Sequence, residues 1–314
     1  MPTVTCPYGH SPTTNVGNPT ALIAMNEIKE NLHKYALCRS LISELQLLHS
    51  LSEKEYLTFS EDVQKTNKIL LLMEPYLLFK IAYDEFLEWK VKYGKITSSR
   101  YEFHKTNQKR LYLEINYRIC IILSFLRQFV DQSANLIADE YGKDSELSSR
   151  FKKETHLIYD SEFYYRFSYR LRNYSLHRYI PIRTISINYS YEDQIESSKN
   201  DIIINKEELL KEKDVWGSAL YKELLNYDNE INAFDLVDGI FKFVLKLHTL
   251  TFNFVVQENR DSIQRIASFI FQFEQNEGEL VLQKLWTTED YSLKMNLILI
   301  PEQLIRDLTK SKIT

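Results

Sequence analysis

Hydrophobic positions along this chain fall mostly at helical spacing. After Pro19, the run ALIAMNEIKENLHKYALCRSLISELQLLHS carries apolar residues three and four apart and predicts a first helix. Ser52 and Glu55 have the spacing of a capping box and predict the start of a new helical segment. From Ser60 to Tyr93 the pattern is helical again, with a bend expected at Pro75 and a stop at Gly94. The clearest helix is expected between about Tyr101 and Tyr141, where Leu111, Ile115, Ile119, Ile122, Phe125/Leu126 and Phe129 form one apolar stripe and Gly142 follows as a stop. A shorter helix is expected within 144–157. Another runs from about Asp160 toward Pro181, with Phe163, Phe167, Leu171 and Tyr174 on one face.

Beyond Pro181 the period changes. TISINYSY (184–191) alternates strictly, a strand signal, and DIIIN (201–205) is the expected partner across a polar loop. Helices resume at about 206–227 and 231–275. ELVLQKLW (279–286) and SLKMNLILI (292–300) predict a second hairpin, and a last helix covers about 302–311. No internal repeat interrupts this order. The fold class is therefore mainly α. A polar arm (1–20) precedes an all-helical domain (21–183), and an α+β extension with two short hairpins (184–314) follows.

Composition sharpens this picture. Only 7 Gly and 7 Pro in 314 residues leave few turns, as long helices require. Hydrophobic residues at 44% and charged residues at 26% belong to a globular chain and exclude a disordered one. The greasiest run, Phe243 to Val256, carries Lys246, His248 and Asn253. It is shorter than the roughly 20 apolar residues a bilayer needs, so no membrane partner is expected. The opening stretch has no basic region followed by an apolar one, so no secretory signal is expected either. Three cysteines, Cys6, Cys38 and Cys120, are an odd number without framework spacing and point to a reducing cytoplasmic location. Cys6 and His10 have ligand-like spacing but no second pair to complete a tetrahedral site, so neither metal nor cofactor is expected.

Charge changes the picture further. The chain carries a formal charge of -4, which argues against a general nucleic-acid binder. Within it, Arg150, Lys152, Lys153, Arg166, Arg170, Arg172, Arg178 and Arg183 face only Glu154, Asp160 and Glu162 in the window 150–183. A basic island in an acidic chain suits a phosphate site, although a solvated helix face is the commoner meaning of a charge run.

The island contains RLRNYSLHRYIP (170–181), where Arg172, Asn173 and His177 stand close in sequence. Spacing alone carries little. With 7 His, about one arginine–histidine pair with four to six residues between them is expected by chance, and the chain has three: Arg150–His156, Arg170–His177 and Arg172–His177. Context carries more: a polar amide follows Arg172 directly, Arg178 and Pro181 follow His177, and long helices lie upstream. Arg172-Asn173-Tyr174-Ser175-Leu176-His177 resembles the R-x(4–6)-H motif of the HEPN family. The resemblance covers the motif closely, the helical order from about 60 to 183 loosely, and 184–314 not at all. It implies a HEPN-like helical bundle that dimerises with two motifs facing across a cleft, and in active members a metal-independent endoribonuclease typical of bacterial toxin and phage-defence systems. Carried over, Arg172 and His177 would be the catalytic pair and Asn173 their polar support. Many members are silent binding modules, so membership leaves catalysis open.

The chemistry of the residues is compatible with this. Metal-free RNA cleavage uses the neighbouring 2′-hydroxyl as nucleophile, so the protein needs a proton carrier near neutral pH and a fixed cation on the phosphoryl oxygens. Histidine and arginine supply these, and only RNA has the hydroxyl. Arg170, Arg178, Tyr169 and Tyr174 are the candidate RNA contacts, the tyrosines by stacking; packing at helix interfaces is the commoner use of such tyrosines. On an ideal helix Arg172 and His177 lie about 140° apart, so either the helix is irregular here or two subunits assemble the site. The expected partners are RNA, a second copy of the chain, and an inhibitor or trigger protein. The alternative is a catalytically silent dimeric module that binds a nucleotide, RNA or protein; a DNA binder using the basic island is a third reading.

Overall fold

The computed structural model describes residues 34–41, 44–183, 185–192, 195–227, 230–273, 278–288 and 293–310. The chain is mainly helical, with small antiparallel sheets. Its contacts divide it into two compact units, one built from both ends of the chain (residues 1–70 and 256–314) and one from the middle (71–255). This differs from a boundary near 183, because the last hairpin closes a sheet with an N-terminal strand and not with its own neighbours.

In the unit built from the ends, strands β1 (Tyr35–Ser40), β2 (Leu45–Ser50), β7 (Glu279–Thr287) and β8 (Leu293–Leu299) form an antiparallel sheet in the order β2-β1-β7-β8. The predicted C-terminal hairpin is present as β7–β8, with Gln283 opposite Leu297. The predicted first helix is corrected: of that run, 35–40 and 45–50 are strands, and the part before residue 34 lies outside the described residues. Tyr35, Ala36, Leu37 and Cys38 are a continuous apolar run, which a two-sided buried strand and a core helix share. Pairing decides the matter, since Leu37 sits opposite Leu282, far away in sequence.

One sheet face packs against helix α1 (Glu53–Thr97, to Leu70 in this unit), α10 (Arg260–Ile270) and α11 (Glu302–Lys310). Leu37, Leu280 and Leu282 meet Tyr56, Val63, Ile266, Ile270 and Ile305 there. The capping box is formed: Ser52 N donates to Glu55 Oε2 at 2.8 Å, and Glu55 N donates to Ser52 Oγ at 3.2 Å. Pro75 and Gly94, expected to bend and end the helix, both lie inside α1.

In the middle unit, α2 (Arg100–Lys105) leads into α3 (Gln108–Tyr141), α4 (Glu146–Ser161) and α5 (Phe163–His177), which pack on one another. The predicted stripe of α3 is buried, including Leu111, Ile115, Ile119, Ile122 and Phe129, and Gly142 ends the helix at φ 96°. After α5 comes the hairpin β3 (Ser186–Glu192) and β4 (Ile195–Asp201). DIIIN is therefore not the partner of β3; its Ile203–Ile204 (β5) pairs with Ile231–Asn232 (β6). The true partner, IESSKND, carries too few apolar residues to register as a strand, and its pairing follows from adjacency in the chain.

The short helices α6 (Lys206–Leu210), α7 (Lys213–Trp216) and α8 (Ser218–Leu225) replace one predicted helix, and α9 (Ala233–Glu258) completes the series. Gly239 of α9 lies so close to α5 that a Cβ there would stand 2.8 Å from the Tyr164 ring, so only glycine permits the approach. By length and composition α9 is the one described helix that could cross a membrane. Within this unit Leu236, Val237, Ile240, Val244 and Leu247 are buried, the arrangement of a core helix of the same composition.

Candidate functional site

The motif occupies the last two turns of α5. That helix forms because Tyr165, Phe167, Ser168, Leu171 and Tyr174 recur at three- and four-residue steps and are buried together. It is α-helical through His177; Arg178, at φ -127° and ψ -82°, ends it, with its N–H donating to Tyr174 O at 2.8 Å. Arg172 and His177 therefore stand on a regular helix, about 140° apart. Of the two alternatives, an irregular helix is not what forms here, and one chain does not bring the two together.

The rest of the motif is placed as follows. His177 is exposed in the final turn, and its side chain makes no hydrogen bond among the described residues. Arg172 is half-buried; its Nη1 reaches Asn173 Oδ1 only at 3.5 Å, a weak contact, and its Nε is buried with no hydrogen-bond partner. Asn173 shares a face with His177, but their side chains make no hydrogen bond to each other among the described residues. Arg170 lies against Gly217, where an added Cβ would stand 3.5 Å from Arg170 Nη2, and forms no ion pair among the described residues.

The tyrosines divide. Tyr169 is half-buried under the Arg127 guanidinium, 4.6 Å from its ring centroid. Tyr174 is corrected: at 1% exposure, with its ring 5.6 Å from that of Trp216, it is a core residue and offers no face to a base. Burial pushes its hydroxyl above the usual tyrosine range.

Much of the basic island is neutralised by acids that lie later in the sequence. Arg166 makes a two-point contact with Glu223, at 2.6 and 3.2 Å, and also donates to the carbonyls of Tyr159 and Asp160 at 2.7 Å. Arg178 faces Glu212 at 3.6 Å, Arg183 faces Glu208 at 3.2 Å, and Arg150 faces Glu146 at 3.5 Å. Among the described residues, Arg170, Arg172, Lys152 and Lys153 are left without an acid. The positive charge is thus concentrated on fewer groups than the sequence implied.

Asn116 was not singled out by sequence, yet it fixes the segment that follows the motif. Buried in the apolar stripe of α3, it accepts from Ile182 N at 2.8 Å and donates to Ile182 O at 2.9 Å. Its signal is an amide inside an apolar stripe, which must find partners when buried. Cys6 and His10 lie outside the described residues. No family model matches this chain, and neither a curated protein nor a solved structure matches it.

Proposed function

We propose that the protein is a HEPN-like, metal-independent endoribonuclease of the toxin or phage-defence type, in which a dimer cleft brings Arg172 of one subunit toward His177 of the other. The 2′-hydroxyl of RNA attacks the adjacent phosphorus, the bond to the 5′-oxygen breaks, and a 2′,3′-cyclic phosphate forms. His177 moves the proton, Arg172 holds the phosphoryl oxygens as charge builds, and Asn173 supports one of them. Arg170 and, more peripherally, Arg178 and Tyr169 hold the neighbouring RNA.

One observation carries the reading. Among the described residues Arg172 Nε is buried without an acceptor and its guanidinium makes no ion pair, whereas Arg166, Arg178 and Arg183 on the same stretch are paired. A desolvated, unpaired guanidinium nitrogen costs stability that a phosphate oxygen would recover.

A second reading rests on the regular helix: without a partner subunit Arg172 and His177 do not meet, which also suits a silent dimeric module that binds a nucleotide, RNA or protein. Cleavage of single-stranded RNA in excess EDTA separates the two. The first reading expects cyclic phosphate ends from wild type and none from folded Arg172→Ala or His177→Ala. Equal activity, or equal inactivity, of all three proteins rejects it.

A further inference from the structure

A groove between α3 and α4 has chemistry that the motif does not use. Its floor is apolar: Ile137 and Phe151 are buried, and Val130, Ala134 and Ala138 form the wall on α3. Its rim is basic, with Lys143, Lys152 and His156 all exposed and none in an ion pair among the described residues. Of the acids near it in the chain, Asp131 pairs with Arg127, Glu146 with Arg150, and Glu154 with Lys246, while Asp139, Glu140, Asp144 and Asp160 are not among the residues that line the groove. Lys152 is one of the island's cations that no acid neutralises, and His156 belongs to a motif-like spacing that the proposed activity leaves idle.

We infer that this groove binds a medium-chain acyl or aryl carboxylate, its apolar body on Ile137 and Phe151 and its head between Lys152, Lys143 and His156. The free volume is about 240 Å³. A dry apolar cavity of about 150 Å³ holds benzene, so the larger space fits a body of about eight carbons. Small-molecule sites have this form, an apolar lining with a few convergent polar groups.

Other occupants fit less well. The chain's own first 26 residues contain no Asp or Glu to meet Lys143 and Lys152. A partner helix would use a longer apolar face than these few residues offer. This inference is independent of the ribonuclease reading.

Octanoate is the probe, titrated into the full chain and followed by calorimetry and amide NMR. One octanoate per chain is expected, with shifts confined to 130–156. Octanol, of the same length but uncharged, should bind at least about tenfold more weakly, since the charge on Lys152 and Lys143 is the selective element. Lys152→Gln combined with Lys143→Gln should weaken octanoate about tenfold and erase its advantage over octanol. Ala134→Trp, at an exposed wall position, should abolish binding with an unchanged melting curve. If Ala134→Trp does not fold, the lysine pair, both on the surface, decides. Equal binding of octanol and octanoate, wild-type affinity in either variant, or no saturable binding overturns the inference; shifts appearing only with an acidic peptide would assign the groove to a protein partner instead.

Discussion

The two units differ in whether every inward-reaching arginine is matched by an acid. In the unit built from the chain ends, every arginine that approaches the core meets an acid. Arg39, 1% exposed, pairs with Glu302 at 3.3 Å, and Arg306 holds the same carboxylate at 2.6 Å. Arg265 grips Asp62 through two contacts of 2.6 and 2.7 Å. Burial alone would push the Asp62 carboxyl up, but the hydrogen bonds from Arg265 and Ser262 outweigh it and hold the group below the usual carboxylate range. In the middle unit Arg166, Arg178 and Arg183 are likewise paired, but among the described residues Arg172 carries a buried nitrogen with no acceptor, and Arg170 makes no ion pair. Charges that serve the fold are closed within it, whereas charges left open are available to a ligand.

This contrast can be broken most sharply at the motif. Arg172→Ala and His177→Ala are each expected to reduce RNA cleavage by about 10²–10³-fold or more, with denaturation midpoints close to wild type. A matching loss of stability would make Arg172 structural after all. Removing the closed pair has the opposite signature. Asp62→Ala should cost about 2–4 kcal/mol in urea unfolding, because it leaves Arg265 unmatched and a buried site empty. Activity per folded molecule should stay unchanged.

Intermediate in size is the Arg166–Glu223 contact. Glu223→Ala should cost about 1–2 kcal/mol, less than Asp62→Ala, because Arg166 keeps its two carbonyl partners. Smaller again is the capping box that starts α1, where Ser52→Ala should cost about 1 kcal/mol in the same assay.

The gentlest test is pH. His248, stacked on Tyr76 at 3.7 Å, has its pKa lowered by burial from 6.5 to about 4. In this window the unfolded chain binds a proton that the folded chain refuses, so stability is full above about pH 6.5 and declines as pH falls toward 4. His248→Phe should flatten that part of a stability–pH curve; an unchanged slope would assign the acid sensitivity to other groups.

How much was legible in the sequence depended on whether the deciding contacts were local. The stripe of α3, the Gly142 stop, the Ser52–Glu55 box and the β7–β8 hairpin all rest on neighbours within a few residues, and all are present. The segment YALCRS misled because its partner strand lies at 279–284, and a central strand covered on both faces loses the alternation that marks a half-exposed one. At the motif, residue types and helical spacing already placed Arg172 and His177 on different faces. The sequence did not reveal that Tyr174 faces Trp216 in the core, or that Glu208, Glu212 and Glu223 take up three of the island's arginines.

The sequence by itself determined the helices α3 to α5, the stop at Gly142, and an arginine, amide and histidine on one of those helices. These follow from periodicity and capping, which act over a turn or two. Only the tertiary structure decided which charges are closed and which stay open, because ion pairing and desolvation depend on residues that folding brings together from distant parts of the chain.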